Sequence, residues 1–121
     1  MRDIFRSHVD RRDLKEASFQ ERSDLLVEKA LDFEIQDRMK YALEGREHEY
    51  DRRSLRKFHM SLGRARRDYI LVRSTFNNAE FSKVLGDERY APSDRKLLLE
   101  LETRDLSRER EREQGMSRDR Q

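Results

Sequence analysis

The sequence predicts an all-α fold, a small antiparallel helical bundle of three long helices plus one or two shorter ones. Three observations carry this reading. Leu55, Phe58, Leu62, Ala65, Tyr69, Val72 and Phe76 recur at steps of three and four, the seam of a helix packed on one side. Helix start and stop signals, such as Ser18 three residues before Glu21 and Gly45 after Leu43, punctuate the chain at helical lengths. Finally, 45% of the residues are charged and 34% apolar, so that only a thin core can form.

The 121 residues give room for one domain. It is expected to span residues 1–106, with 107–121 a charged, solvated helical extension fraying to a disordered tail. There is no cysteine, which excludes disulfides, thiolate zinc sites and cysteine nucleophiles. The N-terminus carries Asp3 early and has no apolar run, against a secretory signal or membrane span. A soluble, cytoplasmic protein is the expectation.

Residues 2–16 read as a first helix, with Ile4, Phe5, Val9 and Leu14 apolar and Asp3 in the first turn. His8 lies beside that stripe, where a hydrogen-bonded, partly buried histidine is commoner than a catalytic one. Ser18 and Glu21 form a capping-box pattern for a second helix, with Ser23-Asp24 a rival start. That helix should end at Leu43 or Glu44, with Gly45 as a left-handed cap. Its apolar residues fall on two sides: Leu25, Val27, Leu31, Ile35, Met39, Ala42 and Leu43 on one, Leu26, Ala30, Phe33 and Tyr41 on the other. A helix of this kind belongs between neighbours, at the centre of the bundle.

Gly45 to Glu49 is a connection in which acids surround His48. Neither Glu-x-x-His nor His-Glu-x-x-His occurs, so the helix-borne metal signatures are missing and a solvated loop is expected. The third helix should run from near Glu49 to near Asn77-Asn78, with Gly63 inside it, permitting close approach or marking a bend. Asn78 is a candidate cap for a short fourth helix, Ala79 to Leu85, ended by Gly86. Tyr90 is placed to pin the loop that follows. Ser93, after the only proline, is the candidate cap of a last helix carrying Leu97, Leu98, Leu99, Leu101 and Leu106.

Charge is segregated. Residues 16–51 hold eleven acids against five bases, whereas residues 52–73 hold eight bases against Asp68 alone. At ~100° per residue, Arg52, Arg53, Arg56, Lys57, Arg64 and Arg67 fall opposite the seam, while Arg66 and Arg73 flank it. In one account Asp24, Glu28, Asp32, Glu34, Asp37 and Glu44 of the second helix pair with the flanking arginines, and the rest of the stripe is solvated. In the other the outward stripe meets phosphates or an acidic partner surface. Arginine outnumbers lysine 22 to 6, and its planar fork suits carboxylate or phosphate.

Enzymatic chemistry finds little support: the four glycines are isolated, and no serine or histidine stands in a nucleophile context. No cofactor, metal, membrane or small-molecule substrate is expected. A helix-turn-helix reading of residues 79–101 fails because the turn is long and the second helix is leucine-rich. The expectation is a non-catalytic adaptor that binds a protein partner, or self-associates, through Arg52, Arg53, Arg56, Lys57, Arg64 and Arg67. The alternative is DNA or RNA bound through the same residues, in keeping with a pI near 9.0.

Overall fold

A computed structural model of the chain describes residues 9–104. They form α1 (Arg11–Glu16), α2 (Phe19–Leu43), α3 (Arg52–Arg73), α4 (Asn78–Leu85) and α5 (Pro92–Thr103), with a 3-10 turn at Glu47–Glu49. The fold is all-α, and the described residues contain no strand. The expectations for Ile4, Phe5, His8, Leu106 and residues 107–121 lie outside the described residues.

The starts of α1 to α4 each follow from a side chain that satisfies free N–H groups of a first turn. The Asp10 carboxylate accepts from the Arg12 amide at 2.9 Å while its own backbone is extended (φ −104°, ψ 135°). Of the helix expected over 2–16, the described part begins only after this cap: Asp10 starts α1 instead of lying inside a helix. The capping box of α2 is present, with Glu21 N–H on Ser18 Oγ at 3.1 Å and Ser18 N–H on Glu21 Oε1 at 3.0 Å. The rival Ser23 lies buried within α2. After the Glu44 cap, Gly45 turns left-handed at φ +79°, the one position in the described chain that needs a glycine for its backbone.

Two other caps differ from expectation, by one residue at α4 and by two at α5. Asn77, not Asn78, caps α4, with Glu80 N–H on Asn77 Oδ1 at 2.8 Å and Asn77 N–H on Glu80 Oε1 at 3.1 Å. The reciprocal box requires an acid three residues on. Asn77 has Glu80 there, while Asn78 has Phe81, which is buried in the core. Ser93 does not cap α5. Pro92 occupies the first helical position, where its fixed φ is preorganised and its missing N–H costs nothing, so Ser93 falls inside the first turn.

The core gathers Leu26, Ala30 and Phe33 of α2, Tyr69 and Val72 of α3, Phe76, Phe81 and Val84, and Leu97, Leu98 and Leu101 of α5, with Val9 and Leu14 beneath α1. Phe19 meets Phe76 edge-on at 5.8 Å, and Phe33 stacks on Tyr69 at 6.4 Å. Burial pushes the Tyr69 hydroxyl well above the usual tyrosine range. Tyr90 pins its loop as expected: its hydroxyl donates to Asp24 at 2.5 Å, and partial burial with that bond raises its pKa to about 12.

Two arginines hold the corner between α3 and α4. Arg22 of α2 donates to the Thr75 carbonyl at 2.8 Å and pairs with Glu80 at 3.3 Å, its guanidinium 5.0 Å from the Phe76 ring centroid. Arg73 donates to the Phe76 carbonyl at 3.0 Å, lies 4.0 Å over the Phe81 ring, and takes both oxygens of Glu102 on α5 at 2.9 and 2.8 Å.

Both apolar sides expected of α2 contribute to the core, but not along the whole helix: Leu26, Val27, Ala30 and Phe33 are buried and Leu25 packs against them, whereas Leu31, Ile35, Met39 and Tyr41 remain exposed. Burial also fades along α3: Tyr69, Val72 and Phe76 are buried, but Leu55, Phe58, Leu62 and Ala65 of the same seam are only half-buried. No residue between Phe33 and Asp68 is buried. The end of α2, the connection and the first two thirds of α3 thus form a two-helix arm that holds no buried residue, with Leu62 and Ala65 packed half-buried against the core at its inner end. Gly63 lies on it, and a Cβ built there meets nothing within 4 Å, so neither a close approach nor a contact explains the glycine. Gly63→Ala should therefore raise stability by about 0.5–1 kcal/mol. A urea melt should show a higher midpoint with unchanged slope.

Candidate interaction surface

The cap that starts α3 also sets the surface the helix presents. Asp51 accepts from the Ser54 amide at 2.7 Å, and that bond holds its carboxyl below the usual aspartate range. From this point the 3.6-residue repeat turns the seam toward α2 and the cations away from it. Arg52, Arg53, Arg56, Lys57, Arg64 and Arg67 are all exposed.

Of these six, only Arg67 has a partner in the described chain, the carboxylate of its neighbour Asp68 at 3.0 Å. Asp68 is itself buried and also accepts the Val9 N–H at 3.3 Å, tying the segment before α1 to α3. Arg67 is thus part of the fold as well as of the surface. Arg52, Arg53, Arg56, Lys57 and Arg64 make no ion pair or hydrogen bond among the described residues.

The pairing expected between α2 acids and α3 arginines does not occur among the described residues. Glu34 and Asp37 instead take Arg104, at the end of α5, at 3.0 and 3.2 Å. Asp24 takes Tyr90. Glu28 and Asp32 flank the buried Lys29 ammonium, each at 3.8 Å. Arg73 turns to Glu102 of α5. Asp24, Glu34 and Asp37 are thus taken by the loop before α5 and the residue that ends it, and Glu28 and Asp32 by a lysine of α2 itself.

The first six positions of α3 therefore hold four cations at the positive end of the helix dipole, with no acid in the first turn. Arg52–Arg56 and Arg53–Lys57 are i,i+4 neighbours, and each like-charged pair disfavours the helix by about 0.2–0.5 kcal/mol. Met60, whose position in the helical repeat lies amid these cations, is 58% exposed, and the open Cβ position of Gly63 lies one turn on. The same ~100° count that places the arginines would have placed Met60 among them. The surface is a cationic ridge with an apolar centre, a pattern suited to an anionic partner that also offers carbon.

A cleft of about 460 Å³ lies elsewhere, between α1 and the end of α3, lined by Arg11, Leu14, Lys15, Arg22, Leu71, Ser74 and Thr75. Its most buried cation, Arg22, is already committed to Thr75 and Glu80. His48 is exposed in the 3-10 turn, as the loop reading expected, and no group of three or more metal-ligating side chains gathers among the described residues. No helix in the described residues is long and apolar enough to cross a membrane.

Asp51 links this surface to pH. Its folded pKa lies below the model-peptide value of 3.8, so its contribution is complete above that value and is lost as pH falls through the lower folded one. Below about pH 4, amide exchange at Ser54, corrected for intrinsic rate, should accelerate ahead of the core. Asp51→Ala should reproduce the acceleration at neutral pH. Protection that ignores both changes would show that Asp51 does not hold the start of α3.

Comparison with known proteins yields no match: no family model fits the sequence, and neither a curated protein nor a solved structure is significantly similar to it.

Proposed function

We propose that this chain is a non-catalytic, macromolecule-binding helical module, an adaptor whose antiparallel bundle presents the outer side of α3 to a protein partner. One observation carries the reading. Arg52, Arg53, Arg56, Lys57 and Arg64 are exposed, lack any partner in the described chain, and sit where both the helix dipole and their own mutual repulsion disfavour them. The charges that serve the fold, Arg22, Arg73 and Arg104, are all paired. Locally unfavourable charge on an otherwise well-capped helix is what a binding surface leaves when its partner is absent.

A protein is favoured over nucleic acid because the ridge has Met60 at its centre and because the net charge of the chain is only +2. The second reading, DNA or RNA held through its phosphates by the same five cations, rests on the arginine fork.

Arg53/Arg56/Arg64→Glu tests both readings, since these exposed side chains make no ion pair or hydrogen bond among the described residues. The variant should keep its circular dichroism and melting temperature. In affinity capture from cell extract it should lose the proteins that the wild type retains. Unchanged capture by a folded variant would remove α3 as the binding surface. Mixed-sequence DNA and RNA at low ionic strength separate the classes: salt-sensitive binding abolished by the variant selects the nucleic-acid reading, and no binding selects protein.

A further inference from the structure

We infer that the cleft between α1 and the end of α3 binds a phosphate monoester, with Arg11 and Lys15 holding the phosphoryl group and Leu14 and Leu71 its carbon body. None of the α3 cations assigned to a macromolecular partner lines this cleft, so the inference does not rest on the reading of that surface. The cleft measures about 460 Å³, within the range of small-molecule sites. Among the described residues it is lined by three cations and no acid, in a chain where 26 acids nearly match 28 bases. The groove of about 370 Å³ between α2 and α5 shows the ordinary mixture, with Glu34, Asp94 and Glu100 beside Arg38 and Lys96. Arg11 and Lys15 are exposed and make no ion pair or hydrogen bond among the described residues. They stand one turn apart on α1, a spacing at which like charges repel.

The fold makes no use of these two charges. Cations near the end of a helix commonly satisfy its last carbonyls, but those of α3 are already taken. The Ile70 carbonyl accepts the Ser74 amide at 2.9 Å, that of Leu71 the Ser74 hydroxyl at 2.6 Å, and that of Val72 the Thr75 hydroxyl at 2.7 Å. The Arg73 carbonyl accepts the Phe76 amide at 3.1 Å, and that of Thr75 the Arg22 guanidinium at 2.8 Å. Arg22 is also paired with Glu80 at 3.3 Å, so it fixes the floor of the cleft and its charge is largely offset. Two uncommitted positive charges remain. A phosphate monoester near neutral pH carries about 1.5 to 2 negative charges and matches them, whereas a carboxylate carries one. Ser74 and Thr75 direct their hydroxyl protons into α3, so the anion depends on the cations. A bare phosphate ion would leave Leu14 and Leu71 facing water, and an organic body covers them.

Titration of the isotope-labelled full chain with phenyl phosphate, followed by amide NMR, should shift Leu14, Lys15, Leu71 and Ser74 saturably, with a Kd on the order of 1 mM. Inorganic phosphate should bind about tenfold more weakly, because nothing then covers the two leucines. Arg11→Gln and Lys15→Gln should each weaken binding by about fivefold, and together they should abolish saturation with helicity unchanged. Exchanging the cations, Arg11→Lys with Lys15→Arg, keeps the charge and should hold the affinity within about threefold. Arg53/Arg56/Arg64→Glu should leave it unchanged, so that failure of this site and failure of the α3 surface are told apart. A phosphotyrosine flanked by alanines separates the two carriers of the group. Binding tighter than phenyl phosphate assigns the cleft to a modified protein segment, and weaker binding assigns it to a small molecule. Shifts that do not saturate, equal binding of the bare ion, an affinity indifferent to the double glutamine change, or binding lost in the α3 variant would each overturn the inference.

Discussion

The corner between α3 and α4 is the constraint on which the rest of this fold depends. Arg22 reaches it from α2, and Arg73 reaches it from α3 while gripping Glu102 on α5. Each donates to a backbone carbonyl of the corner and lies over an aromatic ring beneath it. Half the residues of this chain are charged or nearly so, and a thin core alone leaves little margin. Guanidinium groups that bury their flat faces on Phe76 and Phe81 while satisfying carbonyls let polar side chains extend the core without leaving it unsatisfied. Four helices meet there, and the capping box of Asn77 fixes the direction in which α4 leaves.

Much of this was legible in the sequence, for identifiable reasons. The seam of α3, the capping box at Ser18, the left-handed Gly45 and the loop anchor Tyr90 are local or periodic signals, and the structure contains each of them. Arg73 could be assigned to the fold from its angle to the seam alone. Two starts were decided by what lies beside the candidate: Asn77 prevails over Asn78 through Glu80, and Pro92 takes the first helical position of α5, leaving Ser93 inside the first turn. Asp10 starts α1 within a stretch whose apolar residues read as one helix. The destination of the acids on α2 was not legible, because it depends on α5 closing over that helix and bringing Arg104 to Glu34 and Asp37. No local pattern encodes a contact across seventy residues.

The candidate site was legible in part. Angular placement separated cations that serve the core from cations that do not, with Arg67 the exception, since its carboxylate partner is its own neighbour in sequence. The exposed row on α2 was visible only as half of an apolar helix. Which of its residues would be covered was not legible: Val27 is buried, whereas Leu31 and Ile35 line an open groove beside α5.

The fading burial along α3 has a further consequence. A cooperative unit is as stable as the apolar contacts that would be lost when it opens, and between Phe33 and Asp68 no residue is buried. The far end of the arm and the four-helix corner are therefore two energetic regimes on one pair of helices. The arm is therefore expected to open from its loop inward, as far as the stack of Phe33 on Tyr69. A molecule that grips the arm would do more than add contacts: it would raise the opening free energy of the least buried stretch among the described residues. Binding would be read out as protection far from the core, in a segment whose helices already exist but are not yet held shut.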